Sequence, residues 1–388
     1  MFAVIAWLAV TVTARGDVPT IESQLIFNPR SDHNHAASIV ECPNGDLIAS
    51  WYRGKGERDA DDVAVFGARL RKGDSRWSEP FVMADTPGFP DCNTAMFVDA
   101  TGRLWLFWPT IIANSWESCV TNYRVSKNFS ADGPPTWDWQ STILLKPQDF
   151  ERTVLDALNA RLKSTTQPAQ VAAARIERYR KLASDKLLSR LGWQPRCKPT
   201  VLPSGRILLP LYSDTYSAGL MAVSDDGGKT WYASRPLVGF GNIQPTVLRK
   251  NDGTLVAYMR ENGPIHRIRV AESKDDGITW GPVGAIDLPN PGAGIDAVRM
   301  DDGRWLLVYN DTTRARNSLA VSISDDEGRT WKWTRHLEKH ETGSYHYPAV
   351  IQSKDHLIQV VYSHYTGEGQ SIKYARFNAD WVLQGDAK

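Results

Sequence analysis

Six side chains that can take part in chemistry stand at the ends of short apolar segments. Arg260 closes one such segment, and Arg316 lies just ahead of another. A planar guanidinium held at the end of a strand suits bidentate binding of a carboxylate. The other four side chains open segments of the same kind; they are His35, Lys198, Gln244 and Tyr347. We expect most of this set to line one pocket.

The four segment-opening side chains differ in what they can do. Gln244 cannot act as a base, whereas a histidine such as His35 ordinarily titrates near pH ~6.5 and can also donate a hydrogen bond when neutral. A tyrosine hydroxyl ordinarily ionises only near pH ~10, so a reactive Tyr347 needs activation. Lys198 adds a cation, or is simply a solvated strand end. A tyrosine on a strand more often packs than reacts.

Six segments of one design position these residues. Each reads as an apolar strand, a turn with Gly, Asn or Asp, and a second apolar strand. The segments span residues 35–52, 95–108, 200–212, 244–259, 297–309 and 347–362. The pattern is typical of hairpins, and the side chains named above stand at their openings and ends.

Corner motifs alternate with the later hairpins. Residues 224–231, 273–280 and 324–331 each run from Ser through Asp, Gly and Thr to Trp, and their Trp residues are 49 and 51 residues apart. Residues 126–137 and 74–77 look like degenerate copies. An element that recurs at about 50 residues indicates a repeat architecture. Six hairpins at a blade-sized period predict an all-β, six-bladed β-propeller in which each blade is a four-stranded antiparallel sheet.

One region interrupts the repeat. Residues 149–191 lack alternation, and their apolar side chains recur at helical spacing with a break near Pro168. We predict two helices inserted between blades and covering one face or edge. Packing or dimerisation is the plainer interpretation of this insert, and a lid over a substrate is the sharper one.

Composition and the amino terminus limit the remaining possibilities. The net charge of +1 indicates neither a nucleic-acid nor a membrane partner. Residues 1–14 are apolar and end in small residues, which predicts a signal peptide. The protein would then be exported (periplasmic or secreted), and residues 15–388 would form the propeller domain. No later segment reaches the ~18–20 apolar residues of a membrane span.

The cysteines and histidines do not suggest a metal. Four cysteines permit disulfides in three pairings, and the sequence does not choose among them. No pair of cysteines has the two-residue separation of a zinc site, and no histidines cluster at zinc spacing. We predict neither a metal nor a cofactor.

The corner motifs, the hairpins and the segment that follows Tyr347 resemble the sialidase (neuraminidase) superfamily, in particular its proteins with BNR, or Asp-box, repeats. The resemblance runs from about residue 28 to residue 377 without the insert. It implies a propeller with a tyrosine nucleophile, a glutamate that takes the tyrosine proton, an aspartate acid/base and three arginines that bind the substrate carboxylate. Tyrosine nucleophiles are the exception to the usual pair of carboxylates in glycosidases.

Carried onto this sequence, the resemblance assigns the nucleophile to Tyr347, with Tyr345 as its competitor. It assigns the acid/base to Asp59 in a loop that also holds Asp61 and Asp62. Two of the three carboxylate-binding arginines correspond to Arg260 and Arg316, and Arg53 is a further residue expected to contact the sugar.

Two family positions carry other residues. The first arginine of the family corresponds to His35, and the glutamate that deprotonates the tyrosine corresponds to Gln244. A tyrosine without its carboxylate base needs another route to activation. His35 can supply that route, or it can bind the ligand as a neutral donor.

Three functions remain open. The leading one is exo-acting hydrolysis of the glycosidic bond of an acidic, sialic-acid-like sugar. The second is a lyase acting on a uronate polysaccharide, in which Tyr347 or His35 removes the C5 proton while the arginines neutralise the carboxylate. The third is a glycan-binding propeller whose catalysis has decayed, which Gln244 supports best. All three have an acidic glycan as partner.

Overall fold

The structure, a computed structural model, describes residues 18–164 and 168–386. The strands of these residues form six antiparallel sheets that follow one another along the chain. Five sheets have four strands each, and the third is completed by two additional short strands. The prediction of a six-bladed β-propeller is confirmed. The predicted signal peptide lies outside the described residues.

The strands of the first three blades succeed one another from the axis outwards. Blade 1 contains β2 (His33–Glu41), β3 (Leu47–Gly54), β4 (Ala64–Leu70) and β5 (Phe81–Ala84). Blade 2 contains β6 (Ala95–Val98), β7 (Leu104–Ile111), β8 (Cys119–Ser126) and β9 (Trp139–Ile143). Blade 3 contains β10 (Gln194–Pro195), β11 (Thr200–Val201), β12 (Ile207–Ser213), β13 (Ala218–Ser224), β14 (Tyr232–Ala233) and β15 (Leu237–Val238).

The other three blades have the same order from the axis outwards. Blade 4 contains β16 (Asn242–Arg249), β17 (Leu255–Glu261), β18 (Arg267–Ser273) and β19 (Gly284–Pro289). Blade 5 contains β20 (Asp296–Arg299), β21 (Trp305–Tyr309), β22 (Ser318–Ser324) and β23 (Trp333–Lys339). Blade 6 contains β24 (Ser344–Gln352), β25 (Ile358–Thr366), β26 (Gly369–Phe377) and β1 (Ile21–Leu25). Strand β1 therefore completes the last blade and closes the ring.

The corner motifs lie between the outer strands and are held by their own side chains. In the first, Ser224 Oγ donates to Asp226 Oδ1 at 2.9 Å, and Asp226 accepts from the amide and the hydroxyl of Thr230 at 2.9 and 2.6 Å. Trp231 packs edge-on against Trp105 of blade 2, with 6.5 Å between ring centroids. The motif therefore fixes a turn and joins two blades.

The inner strands are tied together at the axis by Asp296 at the start of blade 5. This buried carboxylate accepts from Lys198 Nζ and Thr246 Oγ1, both at 2.8 Å, and from the Val350 amide at 2.9 Å. Its partners come from blades 3, 4 and 6. A buried charge is stabilised when it is paired and fully hydrogen-bonded in this way.

The predicted insert between blades 2 and 3 is helical. It contains α1 (Phe150–Lys163), α2 (Ala169–Ser184) and α3 (Lys186–Arg190). Helix α1 buries Phe150, Val154 and Leu158 in the core shared by blades 2 and 3. Elsewhere, a 3-10 turn spans Trp116–Ser118, and α4 (Ala379–Leu383) packs on blade 5 near the carboxyl end.

Two findings concern the remaining expectations. All four cysteines are buried free thiols, so none of the three possible disulfide pairings is formed. Within the described ranges, no helix has the length and apolar character needed to cross a membrane.

Candidate active site

A polar cavity of about 280 Å³ opens at the axis where the inner strands begin. Every blade contributes to it. Its lining residues are His35, Tyr52, Glu57, Asn93, Trp116, Tyr212, Asp214, Gln244, Arg260, Arg316 and Tyr347. A concave site with converging polar groups is the expected form of a small-molecule site. Five of the eight predicted site residues therefore meet in one cavity.

Three inner strands share a backbone device at this cavity. Strands β2, β16 and β24 each contain an irregularity of register close to their start. The residues there with a left-handed backbone are Ala36, Gln244 and Tyr347, with φ of 54°, 56° and 54°. Such a backbone costs energy for a residue other than glycine, and it persists where the surroundings enforce it. Bulges of this kind redirect side chains next to active sites.

Donors surround the Tyr347 hydroxyl. Arg260 Nη1 donates to the phenolic oxygen, and Gln244 Nε2 lies 3.2 Å from it. The guanidinium carbons of Arg196, Arg260 and Arg316 lie 5.2, 5.6 and 5.6 Å from the centroid of the tyrosine ring. Among the described residues no carboxylate hydrogen-bonds to this hydroxyl. Arg260 therefore contacts the phenolic oxygen itself, whereas Arg196 and Arg316 lie beside the aromatic ring.

Arg196 is the member of this group that sequence reasoning missed. Its side chain is only 1% exposed, and its Nη2 donates to the Pro348 carbonyl at 2.5 Å. Its Nε and Nη1 atoms are buried and have no hydrogen-bond partner in the part of the chain described. The signal available in the sequence was its position, because Arg196 is a second cation two residues before Lys198. A buried guanidinium without a carboxylate partner is costly, which makes it a candidate for a functional role.

His35 lies against the same tyrosine. The ring centroids of His35 and Tyr347 are 4.2 Å apart, and His35 Nδ1 is 2.8 Å from Ser363 Oγ. Burial, reinforced by the neighbouring His346, lowers the pKa of His35 well below its ordinary value. The imidazole is therefore neutral at physiological pH and can accept a proton or donate a hydrogen bond.

Two carboxyl groups line the cavity, and their surroundings differ. Glu57 accepts from the Tyr52 hydroxyl at 2.6 Å and lies 3.3 Å from His33 Nε2. Burial opposes its ionisation, but hydrogen bonds from His33 and Tyr52 outweigh it, so the pKa of Glu57 is lowered. Burial raises the pKa of Asp214, although the positive charge of Arg260 partly offsets that effect.

The aspartates predicted for the acid/base role lie outside this lining. Asp59 is exposed and does not line the cavity. Asp61 Oδ1 accepts from Asn114 Nδ2 at 2.9 Å, and Asp62 Oδ1 accepts from the Lys55 amide at 3.0 Å. The loop reaches the cavity, but the residue it contributes to the lining is Glu57.

Two predicted sugar-binding residues have structural partners instead of facing the cavity. The Arg53 guanidinium lies 4.7 Å from the centroid of Phe27 and 4.6 Å from that of Phe66, and its Nε donates to Asn34 Oδ1 at 2.8 Å. Lys198 is paired with Asp296 at the axis. Neither lines the cavity.

Tyr345, the competitor of Tyr347, also lies away from the cavity. Its ring packs against His340 and His364, with centroid distances of 5.2 and 5.1 Å. It is buried in the core shared by blades 5 and 6. Of the two tyrosines, Tyr347 is the one that lines the cavity.

The helical insert contacts the cavity indirectly, through a loop of blade 3. None of its described residues lines the cavity. Phe150 of α1 packs edge-on against Tyr216, with 4.7 Å between ring centroids, and the Tyr216 hydroxyl donates to the Leu182 carbonyl at 2.7 Å. Tyr216 belongs to the connection between β12 and β13 that also carries Asp214. The insert therefore buttresses the loop of a cavity residue.

The fold and the corner repeats define the class of protein, a propeller with BNR repeats. The chain matches the family described as BNR repeat-like domain over residues 45–168 and 189–360, and it belongs to that family. The resemblance to sialidase-like BNR-repeat proteins is thereby confirmed.

Two curated relatives are similar over part of the chain. A sialidase of Micromonospora viridifaciens is 27% identical over 194 residues, which cover 46% of this chain and 29% of the relative. An anhydrosialidase of Macrobdella decora is 23% identical over 182 residues, which cover 42% of this chain and 24% of the relative. The matched segments therefore span less than a third of the length of these relatives.

Solved structures share the fold at low identity. A protein of unknown function from Dyadobacter fermentans has a TM-score of 0.71 at 16% identity, covering 93% of this chain and all of the other. The K499G mutant of the NanB sialidase from Streptococcus pneumoniae has a TM-score of 0.68 at 12% identity, covering 92% of this chain and 71% of the other. At such identities the likeness defines the fold alone.

Proposed function

We propose that this protein hydrolyses the glycosidic bond of an acidic sugar by a sialidase-type mechanism, with Tyr347 as nucleophile. The observation that carries the proposal is the Tyr347 hydroxyl, which accepts from Arg260 and shares one cavity with Arg316. Arg260 and Arg316 bind the carboxylate of the sugar. A carboxylate beside the anomeric carbon repels an anionic nucleophile, and guanidiniums next to a phenolate offset that repulsion.

Cations take the place of the missing base. Gln244 cannot accept the tyrosine proton, whichever end of its amide faces the hydroxyl. Instead, Tyr347 releases its proton to water while the guanidiniums of Arg196, Arg260 and Arg316 stabilise the phenolate. The phenolate oxygen then bonds to the anomeric carbon as the bond to the leaving oxygen breaks, and a cavity carboxyl group protonates that oxygen. Attack by water on the anomeric carbon releases the sugar and returns Tyr347 to the phenolate.

The size of the cavity supports exo action. Its volume of about 280 Å³ lies just below the ~300–1,000 Å³ range of ligand pockets. It suits one sugar residue at the end of a glycan. The supported partner is therefore an acidic glycan that presents its terminal sugar.

A lyase acting on a uronate is the second candidate, and His35 favours it. The neutral imidazole lies 4.2 Å, ring to ring, from Tyr347, beside arginines that can neutralise a uronate carboxylate. In this reaction one of the two side chains removes the C5 proton, the bond to the O4 leaving group breaks, and a 4,5 double bond forms.

A single set of assays separates the candidates. Purified protein is incubated with 4-methylumbelliferyl N-acetylneuraminide, with sialyllactose and with uronate polysaccharides. Release of methylumbelliferone or sialic acid supports the hydrolase, and a new near-ultraviolet absorbance from a uronate supports the lyase. Saturable binding of acidic sugars without any product contradicts both and supports the binding propeller.

A further inference from the structure

The proposed reaction needs a group that protonates the leaving oxygen, and the cavity contains two carboxyl groups. These are Glu57 from blade 1 and Asp214 from blade 3. The exposed Asp59 is not in the lining. A general acid must reach the leaving oxygen directly or through one water, so the choice lies between the two cavity carboxyl groups.

Asp214 is held by one uncharged donor that belongs to a larger hydrogen-bond network. Its Oδ2 accepts from Gln194 Nε2 at 3.1 Å, and Gln194 Oε1 accepts from Asn93 Nδ2 at 3.0 Å. Asn93 Nδ2 also donates to the Tyr212 hydroxyl at 3.0 Å. Within residues 18–164 and 168–386, no lysine or arginine forms an ion pair with Asp214. This network orients the carboxyl group without forcing it to ionise.

The charges that face Asp214 are mixed. Arg260 and Arg58 favour its ionised form, whereas Glu117 and Glu57 oppose it. Burial is the largest effect and keeps the pKa of Asp214 above its ordinary value. At Glu57, by contrast, hydrogen bonds from His33 and Tyr52 outweigh burial, and the pKa is lowered. The surroundings of the two carboxyl groups therefore shift their pKa values in opposite directions. Such a pair usually consists of a general acid, with the raised pKa, and a group that stays charged.

The loop that carries Asp214 is fixed by the residues that follow Asp214. Tyr216 is clamped by Phe150 and by the carbonyl of Leu182, both in the helical insert. The Ser217 carbonyl accepts from the amides of Gly241 and Asn242 at 3.1 and 3.2 Å. A catalytic group on a loop needs such support to keep its geometry.

We propose that Asp214 is the acid/base of the reaction, and that the helical insert serves to position its loop. In the first step the Asp214 carboxyl group gives its proton to the leaving oxygen while the anomeric carbon bonds to Tyr347. In the second step the Asp214 carboxylate takes a proton from the attacking water. This role rests on the proposed hydrolysis and assigns it a residue from blade 3 instead of the blade 1 loop.

The test compares two leaving groups in three variants. Methylumbelliferone leaves readily without a proton, whereas the lactose of sialyllactose needs one. In Asp214→Asn we expect kcat/KM to fall by about 100-fold or more on sialyllactose and by less than about 10-fold on the aryl sialoside. The alkaline limb of the pH profile should also disappear. The matched variants are Glu57→Gln and Asp59→Asn, and neither should show this selectivity.

The outcomes are distinguishable. Equal losses on both substrates in Asp214→Asn, or a loss selective for sialyllactose in either matched variant, would overturn the assignment while leaving the hydrolase intact. A wild-type protein that cleaves neither substrate overturns the proposed function itself. Circular dichroism and melting temperature establish that each variant is folded.

The positioning role of the insert has its own variant. Tyr216→Phe removes only the hydrogen bond to Leu182, and we expect a loss of roughly 2- to 10-fold that falls mainly on sialyllactose. A loss of the same size on both substrates would show that the insert contributes stability alone.

Discussion

The outer corners and the inner strand openings of this propeller use repetition in opposite ways. Three corners repeat both backbone and side chains: the Thr hydroxyl lies 2.6, 2.5 and 2.6 Å from the Asp carboxylate in successive copies. Three inner openings repeat only the backbone, with Ala36, Gln244 and Tyr347 at the same left-handed position. The side chains of these three corners are constant, and those at the three inner openings vary.

This difference follows from what the two kinds of side chain contact. A corner carboxylate satisfies turn amides and does so in the same way in each of these three blades. An inner side chain faces a cavity shared by six blades, so one strained position supplies a hydroxyl in one blade and an amide in another. The side chains that line the cavity are therefore among those in which the blades differ.

The largest effect is expected at the inner opening of blade 6. Tyr347→Phe should lower kcat by at least about 1,000-fold because it removes the nucleophile while keeping the ring among the arginines. Tyr345→Phe, on the same strand, is the matched control and should stay within a few-fold of wild type. Steady-state kinetics with an aryl sialoside measure both, and equal losses would contradict the assignment of Tyr347.

Arg196 gives the next effect. Arg196→Met removes one of the three cations around Tyr347, and we expect kcat to fall about 10- to 100-fold, with the acidic limb of the pH profile moved to higher pH. Arg196→Lys should recover part of the loss. Unfolding stability should not fall in step, because a buried, unpaired guanidinium is itself costly. A loss of stability with an unchanged pH profile would show that Arg196 is only structural.

The inner ring should also be sensitive to acid. Burial lowers the pKa of both His35 and His346, so the unfolded chain takes up their protons at higher pH than the folded chain. Their contribution to stability is complete above about pH 6.5 and is lost as pH falls below it, at up to about 1.4 kcal/mol per pH unit for each histidine. His336, whose pKa is raised mainly by Asp311, acts in the opposite direction.

The variant His346→Gln isolates this contribution, because His336 is present in both proteins. Its free energy of unfolding should depend less on pH between about 6.5 and about 5 than that of the wild type. Denaturant titrations across this range measure the difference. Parallel pH dependences would mean that His346 does not carry the linkage.

The smallest effect is expected at the corners. Asp275 Oδ1 and Oδ2 accept from the amide and hydroxyl of Thr279, and Asp275→Ala should lower the melting temperature by about 2–4 °C. Asp276→Asn leaves these bonds intact and serves as control. Activity per folded molecule should be unchanged in both, and a specific loss of activity would break the contrast between corner and axis.

The blades and the helical insert could be predicted from the sequence because both have a periodic pattern. Hairpins that alternate with corners at near-constant spacing leave few architectures. The helical spacing in 149–191 predicts two helices, and the structure has three, α1, α2 and the short α3. The cavity residues at strand openings, such as His35 and Tyr347, followed from the same regularity.

The residues that were missed depend on contacts between distant parts of the chain. Asp214 and Arg196 lie in connections without a motif, and their surroundings come from other blades and from the insert. Lys198 looked like a ligand because its partner, Asp296, is 98 residues away. Such pairings arise only when the ring closes, and spacing along the chain does not report them.

The central claim, that Tyr347 attacks the anomeric carbon of an acidic sugar, is tested most directly by trapping the covalent intermediate. The protein is incubated with 2,3-difluoro-N-acetylneuraminic acid, digested and examined by mass spectrometry. We expect a sugar adduct on Tyr347 that is absent from the peptide of Tyr347→Phe. An adduct on another residue, or turnover of sialosides with no adduct on Tyr347, would contradict the account.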